Sequence, residues 1–373
     1  MSTALVLSGG GARGAYEAGV VAGLVDVRGR VAFDVFAGAS VGAINATFLA
    51  SWSHRPDLAA HELVRLWEQL RIGSYLRPAR RPRSTRSVVD VRPFERVVQE
   101  GVSWPDLRRN LDAGALHALF IAALDVDTGR TTVFGDIGHT GHWSPSRDPR
   151  RHPVRAQVTW EHVLASAAIP AVFPPRRVRS KLYYDGGLRF NTPISPTLRA
   201  GADRLVVVSP LHRDLHPAVP SKEVEDVRPL FLAGKMLHAV LLDPFAYDLD
   251  VLARFNGLID VLDATMAADE RAAFDARCVE LRGAPYRRID TLVFSPSRDL
   301  GAMGLDFLRY HRRKLFREGL GGVLLAAAAP ALVRSETDLA SYLLFDGRYT
   351  TELIELGRRD VQARADEVRA FFA

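Results

Sequence analysis

Gly38-Ala39-Ser40-Val41-Gly42 sets a lone hydroxyl between two glycines, with the β-rich run Val31–Phe36 before it and the apolar stretch Ile44–Trp52 after it. A Gly-x-Ser-x-Gly turn between a strand and a helix is how a nucleophile elbow is built. The chain reverses so sharply that Gly38 and Gly42 must lack side chains, and Ser40 is presented at the helix N-terminus. The plainer alternative is a glycine-rich turn with serine as N-cap. A second cluster, Ser8-Gly9-Gly10-Gly11-Ala12-Arg13-Gly14, leaves consecutive backbone N–H groups uncovered where another helix begins, which suits a negative charge. Two kinds of charge fit. The N–H groups of Gly9, Gly10 and Gly11 would serve an oxyanion forming at Ser40, with Arg13 bracing the loop. Alternatively, Gly9, Gly11 and Gly14 satisfy Gly-x-Gly-x-x-Gly, and Asp34, twenty positions further on, matches the ribose-binding acid of a dinucleotide fold. Against the second, Asp34 heads its β-run instead of closing it, and Gly38–Gly42 is left unexplained. The third signal is Tyr183-Tyr184-Asp185-Gly186-Gly187, a carboxylate at a strand end followed by two glycines. Asp-Gly-Gly is also ordinary turn chemistry, but a serine nucleophile needs a base, and an aspartate desolvated among apolar neighbours has the basicity to be one.

These residues need a parallel sheet to hold them. Leu5–Ser8 is a short apolar run, and Tyr16, Val20, Val21 and Leu24 follow at helical spacing; the strand, glycine turn and helix then repeat through Ser40. Two successive strand-to-helix units imply parallel strands. Further strands are expected at Ala118–Leu124, Thr131–Phe134, Lys181–Tyr184, Leu205–Ser209 and Thr291–Ser295. A long helical pattern runs from Lys222 to about Asp263, and two or three closing helices fill Leu339–Phe372. The expected fold is one doubly wound α/β domain over residues 1–373, its motif-bearing core at about 3–210 and helical, closing segments at about 211–373.

Composition narrows the function. With 373 residues and 47% hydrophobic content the chain can bury a large core. A single cysteine, Cys278, offers no disulfide framework and reads as a buried small hydrophobe. No carboxylate cluster has calcium-loop spacing, so neither metal nor cofactor is expected. The apolar stretch Gly319–Val333 is shorter than the ~20 residues that span a bilayer, and it contains Pro330. The start Met1-Ser-Thr lacks a basic region and cleavage site, so a cytoplasmic protein is expected. The net charge of +6 favours anionic partners, and no nucleic-acid module accompanies it. The basic segment Arg77–Arg86, with arginines at 77, 80, 81, 83 and 86, is expected to be a surface loop near the site mouth, suited to an anionic membrane surface.

Taken together, the motifs resemble those of the patatin-like phospholipase family. Gly9–Gly14 is similar to its oxyanion loop, Gly38–Gly42 to its nucleophile motif, and Asp185-Gly186-Gly187 to the motif of its catalytic aspartate. Ala165–Pro175 is similar to its proline-bearing segment just upstream, and Ser341–Asp346 to the tail of bacterial members. Ser8 departs from the acidic residue common in plant members. The resemblance covers about residues 4–191 and implies a Ser40–Asp185 dyad with no essential histidine, acting on a lipid ester such as a glycerophospholipid or lysophospholipid. Were a triad present, its histidine would follow Asp185, as His212, His216, His238 or His311 do. The alternatives are a thioesterase or acyltransferase on the same dyad, a dinucleotide-binding oxidoreductase, or a non-catalytic lipid-binding module.

Overall fold

The computed structural model describes residues 1–72, 92–170, 173–210, 249–283, 285–334 and 339–373. The basic segment Arg77–Arg86 and the histidines His212, His216 and His238 lie outside the described residues, as does most of the helical pattern expected from Lys222; its end, 249–265, is a helix.

Strands β1 (Thr3–Leu7), β2 (Val35–Ala39), β3 (Ala118–Asp125), β4 (Thr131–Ile137), β5 (Arg151–Arg155), β6 (Arg176–Val178), β7 (Lys181–Asp185), β8 (Arg204–Val208) and β9 (Asp290–Phe294) form one sheet. Its main path runs β5-β4-β3-β2-β1-β8-β9. The centre, β3-β2-β1-β8-β9, is parallel throughout. Along β1, Leu5 and Leu7 enter one hydrophobic core while Ala4 and Val6 enter another on the opposite face. Both faces are therefore covered, as a parallel sheet requires.

Connections are the helices α1 (Gly14–Arg28), α2 (Val41–Ser51), α3 (Pro56–Glu68), α4 (Arg92–Gly101), α5 (Trp104–Asp112), α6 (Trp160–Ser166), α7 (Gly187–Phe190) and α8 (Ile194–Arg199). Between β8 and β9 come α9 (249–265) and α10 (Ala268–Arg282), and after β9 come α11 (Leu300–Leu315), α12 (Gly319–Arg334), α13 (Leu339–Leu343), α14 (Gly347–Gln362) and α15 (Ala365–Phe371). The closing region thus has three helices, and Gly319–Val333 is helical with Pro330 inside it. No helix among the described residues is long and apolar enough to cross a membrane.

Two strands differ from expectation. The β-rich run at Val31–Phe36 becomes a strand only from Val35, and pairing continues to Ala39, because β2 must deliver the chain to the elbow. Val31 and Phe33 are core residues outside the ladder. β5 carries two arginines and Pro153; it forms as an edge strand, where a missing N–H is tolerated.

Beyond Ala122, β3 changes partners. β2 occupies one edge up to the pair Ala39↔Ala122, while β4 occupies the other up to Leu124. β7 takes over the vacated edge, antiparallel, beginning at Ala123↔Asp185. The ends of β2 and β7 therefore meet head to head.

The helix α14 closes over α1 with unusually little between them. A Cβ at Gly19 would lie 2.2 Å from the Ile354 carbonyl oxygen. Gly19→Val is expected to destabilise the chain by about 3 kcal/mol, since backbone cannot yield there as a side chain would. Urea unfolding measures it; a midpoint equal to wild type would mean the two helices separate at little cost.

Candidate active site

Ser40 adopts φ 54°, ψ −129°, and is one of two non-glycine residues with positive φ among the described residues. Such a backbone costs on the order of 1–3 kcal/mol and persists only where surroundings enforce it. They do so here. A Cβ at Gly38 would fall 2.3 Å from the Gly42 carbonyl oxygen, and one at Gly42 the same distance from that of Leu7. The turn is held from below as well: the Ser40 N–H donates to Ser166 Oγ (2.9 Å), whose hydroxyl donates to the Ala122 carbonyl (2.6 Å).

The Ser40 hydroxyl donates to Asp185 Oδ2 at 2.5 Å. Asp185 is fully buried, its N–H donates to the Ala168 carbonyl, and its Oδ1 accepts the Gly187 N–H at 2.7 Å. At Gly186 a Cβ would reach within 2.1 Å of the Ala122 carbonyl, so this position admits only glycine. Burial pushes the Asp185 carboxyl up to about 7; the bonds from Ser40 and Gly187 pull the other way but are outweighed. A hydroxyl held against a carboxylate that titrates near neutrality can pass its proton without a third group.

The glycine loop crosses directly over this pair. A Cβ at Gly9 would be 2.9 Å from that of Ser40. The N–H groups of the loop are not equivalent, however. Gly9 donates to Asn191 Oδ1 at 2.8 Å, and Asn191 Nδ2 returns a bond to the Gly9 carbonyl at 3.3 Å. Gly9 is thereby an anchor, which leaves Gly10 and Gly11 as the loop positions whose N–H groups can serve an incoming oxygen. Arg13 is nearly buried; its Nε donates to Ser341 Oγ (2.8 Å) and its guanidinium lies 4.1 Å from the Tyr342 ring centroid. It braces the loop against α13.

Other expected residues fall elsewhere. Asp34 receives the Thr3 N–H at 2.7 Å, at the amino end of β1, the opposite end of the strand from the glycine loop. His311 lies on α11 with its ring stacked on Phe307. Asn191 and Ser166 were not singled out by motif. Their contacts to Gly9 and Ser40 span 182 and 126 residues of chain, and no local pattern announces such bonds.

Comparison with known proteins accords with this geometry. The profile of the patatin-like phospholipase family matches residues 5–198. The chain belongs to that family. Its mostly parallel sheet, flanking helices and additional C-terminal helices are the patatin-like α/β fold. A curated relative, the cGAMP-activated phospholipase of Pseudomonas aeruginosa, is 32% identical over 201 residues, which cover 51% of this chain and 53% of the relative. The chain thus matches about half the length of that patatin-like relative. Among solved structures, VipD of Legionella pneumophila aligns with 95% of this chain and 66% of its own, at 13% identity and a TM-score of 0.32.

The buried carboxyl has a thermodynamic signature. A carboxyl whose folded pKa is raised binds its proton more tightly folded than unfolded, so its contribution to stability is complete below about pH 4 and is lost as pH rises through about 7. Asp185→Asn, which cannot ionise, is expected to gain stability relative to wild type between those limits, reaching a few kcal/mol by pH 8. Denaturant melts at pH 5 and pH 8 test this, and a difference independent of pH would mean that Asp185 is ionised throughout.

Proposed function

We propose that this chain is a serine acyl hydrolase of lipid esters, with Ser40 as nucleophile and Asp185 as its base. The observation that carries the reading is the 2.5 Å bond between Ser40 Oγ and a fully buried carboxylate whose affinity for a proton is raised to neutrality. Asp185 Oδ2 takes the hydroxyl proton as Ser40 Oγ bonds to the ester carbon. The N–H groups of Gly10 and Gly11 receive the negative oxygen, and each such donor is worth about 3–4 kcal/mol in the transition state. On collapse the proton passes from Asp185 to the departing alkoxide, leaving an acyl group on Ser40. Water then repeats the sequence: Asp185 removes its proton, the hydroxide attacks the acyl carbon, and Ser40 leaves with the proton restored.

A lipid acyl chain is favoured by what lies beside the nucleophile. From Val41, one residue past Ser40, an apolar groove runs between α2, α3 and α4, lined by Ile44, Phe48, Leu63, Leu66 and Phe94 with no charged side chain. Phe94, in the groove lining, stacks on Phe173. Hydrocarbon gains about 0.8 kcal/mol for each methylene buried there. The basic segment Arg77–Arg86 follows α3 in the chain, and we assign it the attraction to an anionic lipid surface.

Ser40→Ala is expected to abolish ester hydrolysis and fluorophosphonate labelling. Asp185→Asn is expected to come close to that loss, while His311→Ala keeps wild-type kcat. In the wild type, kcat/KM is expected to climb through about pH 7 to a plateau, since the base must be unprotonated. Labelling that survives Ser40→Ala, or a dead His311→Ala enzyme, would reject the dyad.

The groove generates a separate expectation. A Cβ at Gly101 would meet only Leu66 Cδ1, at 3.9 Å, so Gly101→Leu narrows the groove without a backbone clash. The ratio of long-chain to short-chain kcat/KM is expected to fall about tenfold or more. An unaltered ratio would place the acyl chain elsewhere.

A further inference from the structure

Glu17 is a carboxyl with no part in the chemistry above, yet it is fully buried in the first turn of α1, immediately behind the glycine loop. A helix N-terminus favours an ionised side chain, whereas desolvating a charge costs several times as much. Burial therefore wins and holds Glu17 well above the usual carboxylate range. Its Oε2 accepts from Asn45 Nδ2 at 2.8 Å, while the Ser8 backbone N–H is taken by the Val208 carbonyl at 3.3 Å. Asn45 is equally constrained. Its Nδ2 also donates to the Gly14 carbonyl (3.0 Å), and its Oδ1 accepts the Trp67 indole N–H (3.1 Å). Because an indole N–H can only donate, the orientation of the amide is fixed.

Gly14 is the end at which the glycine loop runs into α1, and Asn45 sits on α2, the helix that Ser40 caps. We propose that Glu17 and Asn45 are a positioning pair that ties the Gly14 end of this loop to the nucleophile's helix and so sets the N–H groups of Gly10 and Gly11 against Ser40. The inference rests on the dyad reading. Neither side chain touches the reacting atoms; their effect passes through the loop, and a displacement of a fraction of an ångström there weakens bonds made only to the transition state.

Three variants and one spectrum test the clamp. Glu17→Gln keeps an acceptor oxygen at the same reach without a charge; Glu17→Asp withdraws that oxygen by one methylene, and Glu17→Ala removes it. On a soluble p-nitrophenyl ester, kcat is expected to fall about tenfold or more in the Asp and Ala variants with KM within about twofold, while Gln stays within about threefold of wild type. The NMR resonance of the Trp67 indole N–H is expected to move in Asp and Ala and to hold in Gln. Wild-type kcat in both Asp and Ala overturns the proposal. A Gln variant as impaired as Ala overturns it too, because the acid's own proton would then be the requirement, as does a loss carried wholly by KM. Should Ala fail to fold by circular dichroism, the comparison of Gln with Asp decides alone. Hydrolysis that survives Ser40→Ala sinks the dyad instead, and the Trp67 resonance still reports whether Glu17 holds Asn45.

Discussion

Everything at this site depends on one short hydrogen bond made where water is excluded. A serine hydroxyl is a poor nucleophile and a carboxylate in water a poor base; in the proposed chemistry, removing the solvent from Asp185 changes the second of these, and placing Ser40 at 2.5 Å exploits the change. The same desolvation opposes folding, since the carboxylate gives up its hydration for two hydrogen bonds, from Ser40 and Gly187. The left-handed backbone at Ser40 adds a second cost. Neither would persist in a loosely held loop.

The rigidity comes from close backbone contact on every side. Gly38, Gly42 and Gly186 bring carbonyls to distances at which a methyl group could not stand. Ser166 ties the elbow to β3, and Asn191 ties Gly9 beside it. The far end of the chain takes part through Ser341 and Tyr342, which receive Arg13. The site is thus assembled from separated stretches of the chain, each fixed to the central sheet or to another of them.

How much of this was legible in the sequence depends on the range of the interaction. The elbow, the glycine loop and Asp185-Gly186-Gly187 are local geometries, and local geometry leaves residue types behind: glycines at fixed offsets and a carboxylate at a strand end. The parallel centre was equally readable from the repeated strand, turn and helix. Strand limits were less so, because β2 starts where pairing with β1 and β3 begins, not where β-branched residues do. The edge strand β5 and the three-residue β6 exist only as partners of β4 and β7, and their own sequences argue against them. Asn191, Ser166, Glu17 and Asn45 were passed over for a related reason. A buried asparagine or glutamate in an apolar helix looks like an exception until its partner, tens or hundreds of residues away, is known.

The exchange of partners along β3 bears on how such an enzyme can change in evolution. Ser40 and Asp185 reach their meeting point from opposite directions along a single strand edge, so the stretch between them closes a loop whose length the contact does not constrain. Segments can be gained or lost there while the two reactive groups remain in register, provided the last pair of β2 and the first pair of β7 still adjoin. The number of residues separating Ser40 from Asp185 is accordingly free to vary. Innovation in substrate entry, surface attachment or control therefore has an open place to occur, inside the catalytic unit and not merely at its margins.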